Sequence, residues 1–406
     1  MSKVSEHPFE DTSPQADHPL DVFIHSQLGV VFPACILLVQ QADKLLWHRA
    51  YGYLDPLVRC CQTQLDTLFD LASLTKLFTA TAFMRLVEGG LVSLDTPVGE
   101  VLPALCGQRR IGAAEDPLKN IPIYPDPRQL GTQVDLKQVT FHRLLTHTSG
   151  LAAWRSVYAV GGGTGTVPAP HEIPAELRRQ RLGAVYQYDF FYPPGERVEY
   201  SDLGFILLGE AIQSLSGMPL EAALHREVIQ PLDLKSTFYN PLAHGVLPER
   251  IAPAEVCGWR QRRLVGEVDD ENAASLGGVS GHAGLYATAH DLARFSQMYL
   301  QEGSHQGAQL LAPETVAEMT RQQVVWGDLR RGLAFVLPTP KACSCGSRLS
   351  PSSFGHTGFT GTSLWVDPQR SLVVVALTNR VYYGRGSDAM QYFRPALHDL
   401  IIETLL

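Results

Sequence analysis

The chain has 406 residues, with 33 Lys+Arg against 41 Asp+Glu for a formal net charge of −8, and 45% of its residues are hydrophobic. That apolar content excludes a disordered chain, and mild acidity without a Lys/Arg run leaves no electrostatic footprint for nucleic acid or anionic lipid. No apolar stretch approaches the ~20 residues of a membrane-spanning helix, so the length points to a two-lobed globular protein.

Residues 1–20 are polar and acidic and read as a mobile tail. They carry no basic n-region or apolar h-region, which places the expected location in the cytoplasm. The run from Val30 to Val39 reads as a buried strand, and Lys44–Tyr51 as its hairpin partner. Apolar spacing predicts a long helix from Leu71 to Val87, stopped by Gly89-Gly90. The Pro-, Gly- and charge-rich stretch from Cys106 to Val134 reads as an inserted loop. Thr140 caps a short helix to His147, and a helical pattern runs from Ser201 to Ser214, ending near Gly217. Thr288-Ala289-His290-Asp291 has the form of a capping box opening a helix through Leu300. Short β-rich runs follow at Gly332–Leu337, Thr362–Val366 and Ser371–Asn379, and Asp388–Leu405 closes the chain as an amphipathic helix.

Strands at both ends and helices in the middle imply an α/β (α+β) fold. A discontinuous lobe of residues 21–70 and 280–406 is expected to clasp a mainly helical lobe of residues 71–279, with the site in the cleft between them. Seven cysteines on a long chain argue against a disulfide framework, and neither Cys60-Cys61 nor Cys343-Ser344-Cys345 has zinc-site spacing. Reduced cysteines are expected, with no metal and no cofactor. Gly161–Gly165 lacks the Lys-Ser/Thr ending of a P-loop and reads as a flexible loop. Asp269-Asp270-Glu271-Asn272 could receive a cation or a substrate amine, but without regular ligand spacing it reads as a solvated loop.

Ser73-Leu74-Thr75-Lys76 opens the first long helix. Serine and lysine three apart share a helix face, so the amine reaches the hydroxyl, and the helix amino end favours an anion at Ser73. Desolvation there would favour a neutral lysine able to act as base. Tyr200-Ser201-Asp202 precedes an apolar helix, and a phenol beside a lysine can carry protons. His356-Thr357-Gly358 stands before a strand, where glycine permits close approach to its edge. The N–H that follows, on Phe359, could serve an oxyanion hole. No Gly-x-Ser-x-Gly elbow supports a Ser-His-Asp hydrolase.

Five segments in this order resemble the serine β-lactamase and penicillin-binding-protein superfamily, in its class C β-lactamase, D-Ala-D-Ala carboxypeptidase and esterase branch. They are Asp70–Lys76, Leu144–Leu151, Pro194–Asp202, Gly277–Leu285 and His356–Thr362. The resemblance implies a largely antiparallel sheet flanked by helices beside an all-helical lobe. It implies Ser73 as acylated nucleophile, Lys76 and Tyr200 as proton-transfer groups, and an oxyanion hole from the N–H groups of Ser73 and Phe359. Asp202, His356, Thr357 and Gly358 would complete the substrate-binding surface, and His147 and His282 would be structural. Two departures matter. Asp202 stands where many relatives have Asn, and an anion near Lys76 would shift the role of base toward Tyr200. His356 replaces a Lys, so a substrate carboxylate would meet an imidazolium only when His356 is protonated. The expected function is a serine hydrolase acting on a D-amino-acid peptide or a small carboxylic ester. A non-catalytic member binding peptides or partners in the same cleft is the rival.

Overall fold

The structure, a computed structural model, describes residues 18–59, 61–119, 121–162, 167–341 and 343–406. Helix α1 (Pro19–Gln27) precedes the hairpin β1 (Ala34–Gln41) and β2 (Lys44–Gly52). The far end of the chain supplies β3 (Phe354–Thr357), β4 (Ser363–Asp367) and β5 (Leu372–Thr378). All pair antiparallel in one five-stranded sheet of order β3-β4-β5-β1-β2, with Cys35 opposite Thr378 where the two chain ends meet.

The continuous apolar run of β1 follows from burial on both faces. Ile36 and Leu38 join Leu364, Val373 and Val375 in the inner core, whereas Leu37 and Val39 join Trp365, Val374 and Ala376 in the outer one. The inner face is covered by α4 (Ala289–Leu300); α2 (Thr75–Glu88) and α3 (Asp202–Ser216) pack together and extend the same core, with Phe78 of α2 stacking on Phe295 of α4 at 4.2 Å. The outer face is covered by α1 and α5 (Met390–Leu405), where Phe23 stacks on Phe393. No single helix among the described residues is long and apolar enough to cross a membrane.

Caps fall where the sequence sets them. The Ser201 hydroxyl accepts from the Gly204 N–H, and Gly217 ends α3 in the left-handed region. Thr140 and Thr288 cap their helices in the same way. Asp291 departs from the capping-box expectation: its carboxylate turns to the Ser236 N–H and the Thr237 hydroxyl, tying α4 to the 236–237 turn.

Several expectations are corrected. The tail ends earlier than residue 20, because Leu20 and Ile24 of α1 bury against the sheet; residues 1–17 lie outside the described residues. Gly332–Leu337 is not a strand. Ala334 has φ +65 and a Cβ on Gly332 would lie 2.3 Å from the Met319 carbonyl oxygen, so the segment bends, and Val336 alone bridges to Gly355. A hairpin of Val324–Trp326 with Leu329–Arg331 precedes it. The inserted loop carries two paired ribbons, 108–110 with 133–135 and 114–115 with 122–123, each too short to leave a periodic signal. The connecting region is therefore mainly helical rather than all-helical. Cys343 and Cys345 form a disulfide, against the expectation of reduced thiols there; Cys35, Cys106 and Cys257 are free, and Cys60 lies outside the described residues. So does most of the glycine run at 161–165.

Candidate active site

The turn bearing Ser73 is fixed before α2 begins. Phe69–Asp70 pairs with Leu285–Ala287, and the Leu71 N–H continues the ladder to the Leu285 carbonyl at 2.9 Å. Ala72 then adopts φ +46, a left-handed conformation that costs about 1–2 kcal/mol for a residue with a side chain. The Asp70 carboxylate holds it there by accepting the Ala72 N–H at 2.8 Å. A single 3-10 turn, Ala72–Leu74, carries Ser73 to the mouth of α2 and puts Lys76 one turn behind it. Lys76 is fully buried; its Nζ donates to Ser73 Oγ at 2.9 Å and to the His282 carbonyl at 3.0 Å, and pairs with Asp202 Oδ1 at 2.7 Å.

Tyr200 comes from the strap before α3, and Asp202 is the first residue of that helix. The Ser201 N–H donates to His147 Nδ1 at 3.0 Å, and the His147 ring lies 4.5 Å from that of Tyr200. Since Nδ1 accepts, His147 carries its proton on Nε2. Burial, then the charges of Arg331 and Lys76, keep its pKa well below the ordinary value. His147 is thus a neutral support for the Tyr200 strap, as expected of a structural residue. Burial alone would push the Lys76 ammonium down, but the adjacent Asp202 and Tyr200 outweigh it and its pKa is raised. Burial pushes the Tyr200 phenol up, with Lys76 pulling the other way. The resting pair is therefore an ammonium and a phenol.

The opposite wall is the end of β3. A Cβ on Gly358 would lie 2.0 Å from Thr362 Oγ1 and 2.6 Å from the Leu71 carbonyl oxygen, so only glycine lets this turn close on the turn bearing Ser73. Thr360 and Thr362 donate their hydroxyls to the carbonyls of Asp70 and Leu71, and Arg394 clamps the Gly358 and Thr362 carbonyls from behind. Thr357 ends β3, half-buried, and Phe359 stands beside Ser73 with 39% of its surface exposed. His356 differs from expectation. It is 2% exposed, its Nδ1 donates to the Thr357 carbonyl, and burial with Lys76 and Arg331 nearby keeps its pKa well below the ordinary value. A buried neutral imidazole supplies no charge for a substrate carboxylate.

Ser73, Asp202 and Phe359 line a cavity of about 230 Å³. Three further groups line it that the sequence reading did not place there: Trp154, Leu118 of the 114–123 hairpin, and Arg385. Single residues in loops of irregular composition carry no periodic signal, and only the fold brings them together. The acidic stretch also lines the cavity, contrary to the solvated-loop expectation. Asp270 caps the helix Glu271–Ser275 and takes His282 Nε2 at 2.8 Å, and Asn272 is fully buried, donating to the Arg155 carbonyl. His282 is held between Ser280 and Asp270 and is the structural residue expected.

A family model described as Beta-lactamase matches residues 26–396. The chain belongs to the Beta-lactamase family. It is 30% identical over 388 residues to a Salmonella paratyphi A protein carrying the provisional name D-alanyl-D-alanine carboxypeptidase, covering 89% of this chain and 82% of that one. The counterpart in Salmonella typhimurium strain LT2 matches to the same extent. Among solved structures, a penicillin-binding-protein homologue from Caulobacter crescentus superposes with a TM-score of 0.67 at 17% identity, covering 98% of this chain and 99% of that one. EstCE1, a hydrolase with promiscuous acyltransferase activity, gives 0.66 at 20% identity over 93% and 97% of the two chains. Simvastatin synthase (LovD) from Aspergillus terreus gives 0.69 at 17%, over 94% and 96%. These structures share the fold, a sheet built from both chain ends beside a mainly helical region.

Proposed function

We infer that this β-lactamase-family protein is a serine hydrolase that works through an acyl-enzyme on a small amide or ester, with Ser73 as nucleophile. The observation carrying this reading is the chain of contacts from Ser73 Oγ to Lys76 Nζ to Asp202, buried behind an accessible cavity. A binding module needs no ammonium aimed at a serine hydroxyl.

With Lys76 held as a cation, Tyr200 is the proton carrier. Ser73 Oγ attacks the substrate carbonyl and its proton passes to the Tyr200 oxygen as the phenol gives its own to the leaving group. The carbon–oxygen bond to Ser73 forms and the bond to the leaving amine or alcohol breaks. Water reverses the sequence and frees the acid. Lys76 steadies the charge developing on Ser73 and Tyr200, and the N–H groups of Ser73 and Phe359 receive the oxyanion.

A fluorophosphonate probe, or a penicillin, is expected to form an adduct that mass spectrometry maps to Ser73. Ser73→Ala should abolish the adduct and lower p-nitrophenyl ester hydrolysis by at least ~10³-fold. An adduct on another serine would overturn the site assignment. No adduct on folded protein with either probe would favour the non-catalytic peptide-binding reading.

A further inference from the structure

The acidic segment at Asp269–Glu271 has no part in the proton transfers above, yet the fold builds it into the wall facing Ser73. One carboxylate fixes the relation between them: Asp70 accepts the Ala72 N–H at 2.8 Å through one oxygen and the Asp269 N–H at 2.7 Å through the other. Asp269 is 3% exposed, lines the cavity, and among the described residues its Oδ1 has no hydrogen-bond partner. A buried carboxylate oxygen left in this way is costly unless something completes it.

The other carboxylates around the cavity have partners. Asp202 pairs with Lys76, and Asp270 is satisfied by His282 Nε2 and the Ala273 N–H. Arg385 is held by Glu255 at 2.9 Å and Glu271 at 2.8 Å, and stands 3.7 Å from Asp269 Oδ2. Glu255, Cys257 and Glu271 bring ligand-type atoms within 4.8 Å of one another, but the same guanidinium sits on both carboxylates where a metal would bind. Burial, opposed by Arg385, pushes the Asp269 carboxyl up to about 8, the behaviour of an acid short of a countercharge. The missing group is therefore a cation small enough to enter with the substrate. At about 230 Å³ the cavity lies below the usual range for drug-sized ligands, and Trp154, Leu118 and Phe359 give it an apolar side.

We propose that Asp269 receives a protonated amino group of the substrate, so that the site selects amides or esters of small amino acids with a free amine. The assignment rests on the Ser73 reading above and gives the substrate the opposite charge from the one a carboxylate-binding site would demand. The amine would meet Asp269 Oδ1, the side chain the apolar wall, and the carbonyl Ser73.

The test compares alaninamide, N-acetylalaninamide, propionamide and N-acetylalanine, in both enantiomers where chiral, on the full-chain protein. Each is measured as a competitive inhibitor of p-nitrophenyl acetate hydrolysis and, separately, by titration calorimetry. One enantiomer of alaninamide is expected to bind about tenfold or more tightly than its N-acetyl counterpart and than propionamide, the gain of a charge-assisted contact in a water-poor site. Asp269→Asn should shrink that ratio to near unity, and labelling Ser73 with a fluorophosphonate should block the binding. The wild-type series decides alone if the variant does not fold. Equal binding of free and acetylated amides, or a preference for N-acetylalanine, overturns the proposal while ester hydrolysis still reports on Ser73. Loss of hydrolysis with the amine preference intact in calorimetry would instead sink the catalytic reading and leave amine recognition standing.

Discussion

Asp202 lies 2.7 Å from a fully buried ammonium, and that contact changes what each neighbour of Ser73 can do. A lone buried lysine would lose its proton easily, but beside Asp202 its pKa is raised, so Lys76 donates to Ser73 rather than accepting from it. Replacing the carboxylate by an amide removes the group that opposes desolvation. In Asp202→Asn the Lys76 pKa should fall, and the alkaline limb of kcat/KM should move down by about one pH unit or more. An unmoved limb in a pH–rate series on a p-nitrophenyl ester would show that Lys76 does not control it. His356 gives a second residue-scale expectation. Its pKa lies well below the ordinary value because burial, then the charges of Lys76, Arg331 and Arg394, disfavour the imidazolium. KM for a carboxylate-bearing substrate should therefore stay flat between about pH 5 and 8, where an exposed histidine would titrate. A KM that rises through this range would mean that the ring is protonated in use.

At the scale of elements, the site hangs on the packing of α2 against α4 and on the turn after β3. Phe78 and Phe295 are both fully buried and stack at 4.2 Å, fixing the helix that carries Ser73 and Lys76 at its mouth. Phe78→Ala removes a large ring from this closed core and should cost about 3–5 kcal/mol, read as a lowered midpoint in urea unfolding. A change below ~1 kcal/mol would show that the core collapses around the gap. The long helices and central strands were legible to within a few residues, since caps such as Ser201 and Thr140 and stops such as Gly217 act locally. Among the elements that escaped, some are too short for a periodic signal and one is misread from its composition. Val324–Trp326 and Leu329–Arg331 are three-residue strands, and Gly332–Leu337 looks β-like in composition yet bends at Ala334 to meet the Met319 carbonyl.

For the molecule as a whole, the two ends of the chain make one sheet and one outer layer. Asp21 of α1 buries its carboxylate against Arg49 and accepts the Tyr51 hydroxyl at 2.7 Å, tying the first helix to the edge strand. Asp21→Ala removes a buried carboxylate that both pairs with Arg49 and accepts from Tyr51, which should destabilise the fold by about 3 kcal/mol and lower the melting temperature. An unchanged melting temperature would mean that the outer layer does not depend on this pair. The joining of the ends also sets the cleft: β3 and its turn arrive from the carboxyl end to face a serine that lies among the first eighty residues, and Thr360 and Thr362 bond directly to its turn.

By itself the sequence determined the family motifs, the strand–helix–strand order and the identity of the residues around Ser73, because short-range spacing and capping record these directly. The tertiary structure decided their states. Whether Lys76 is a base or a cation depends on the distance to Asp202, and whether His356 carries charge depends on burial; neither is a property of local sequence. The same holds for Asp269, which reads as part of a polar loop until the fold presses it, through Asp70, against the turn that holds Ser73.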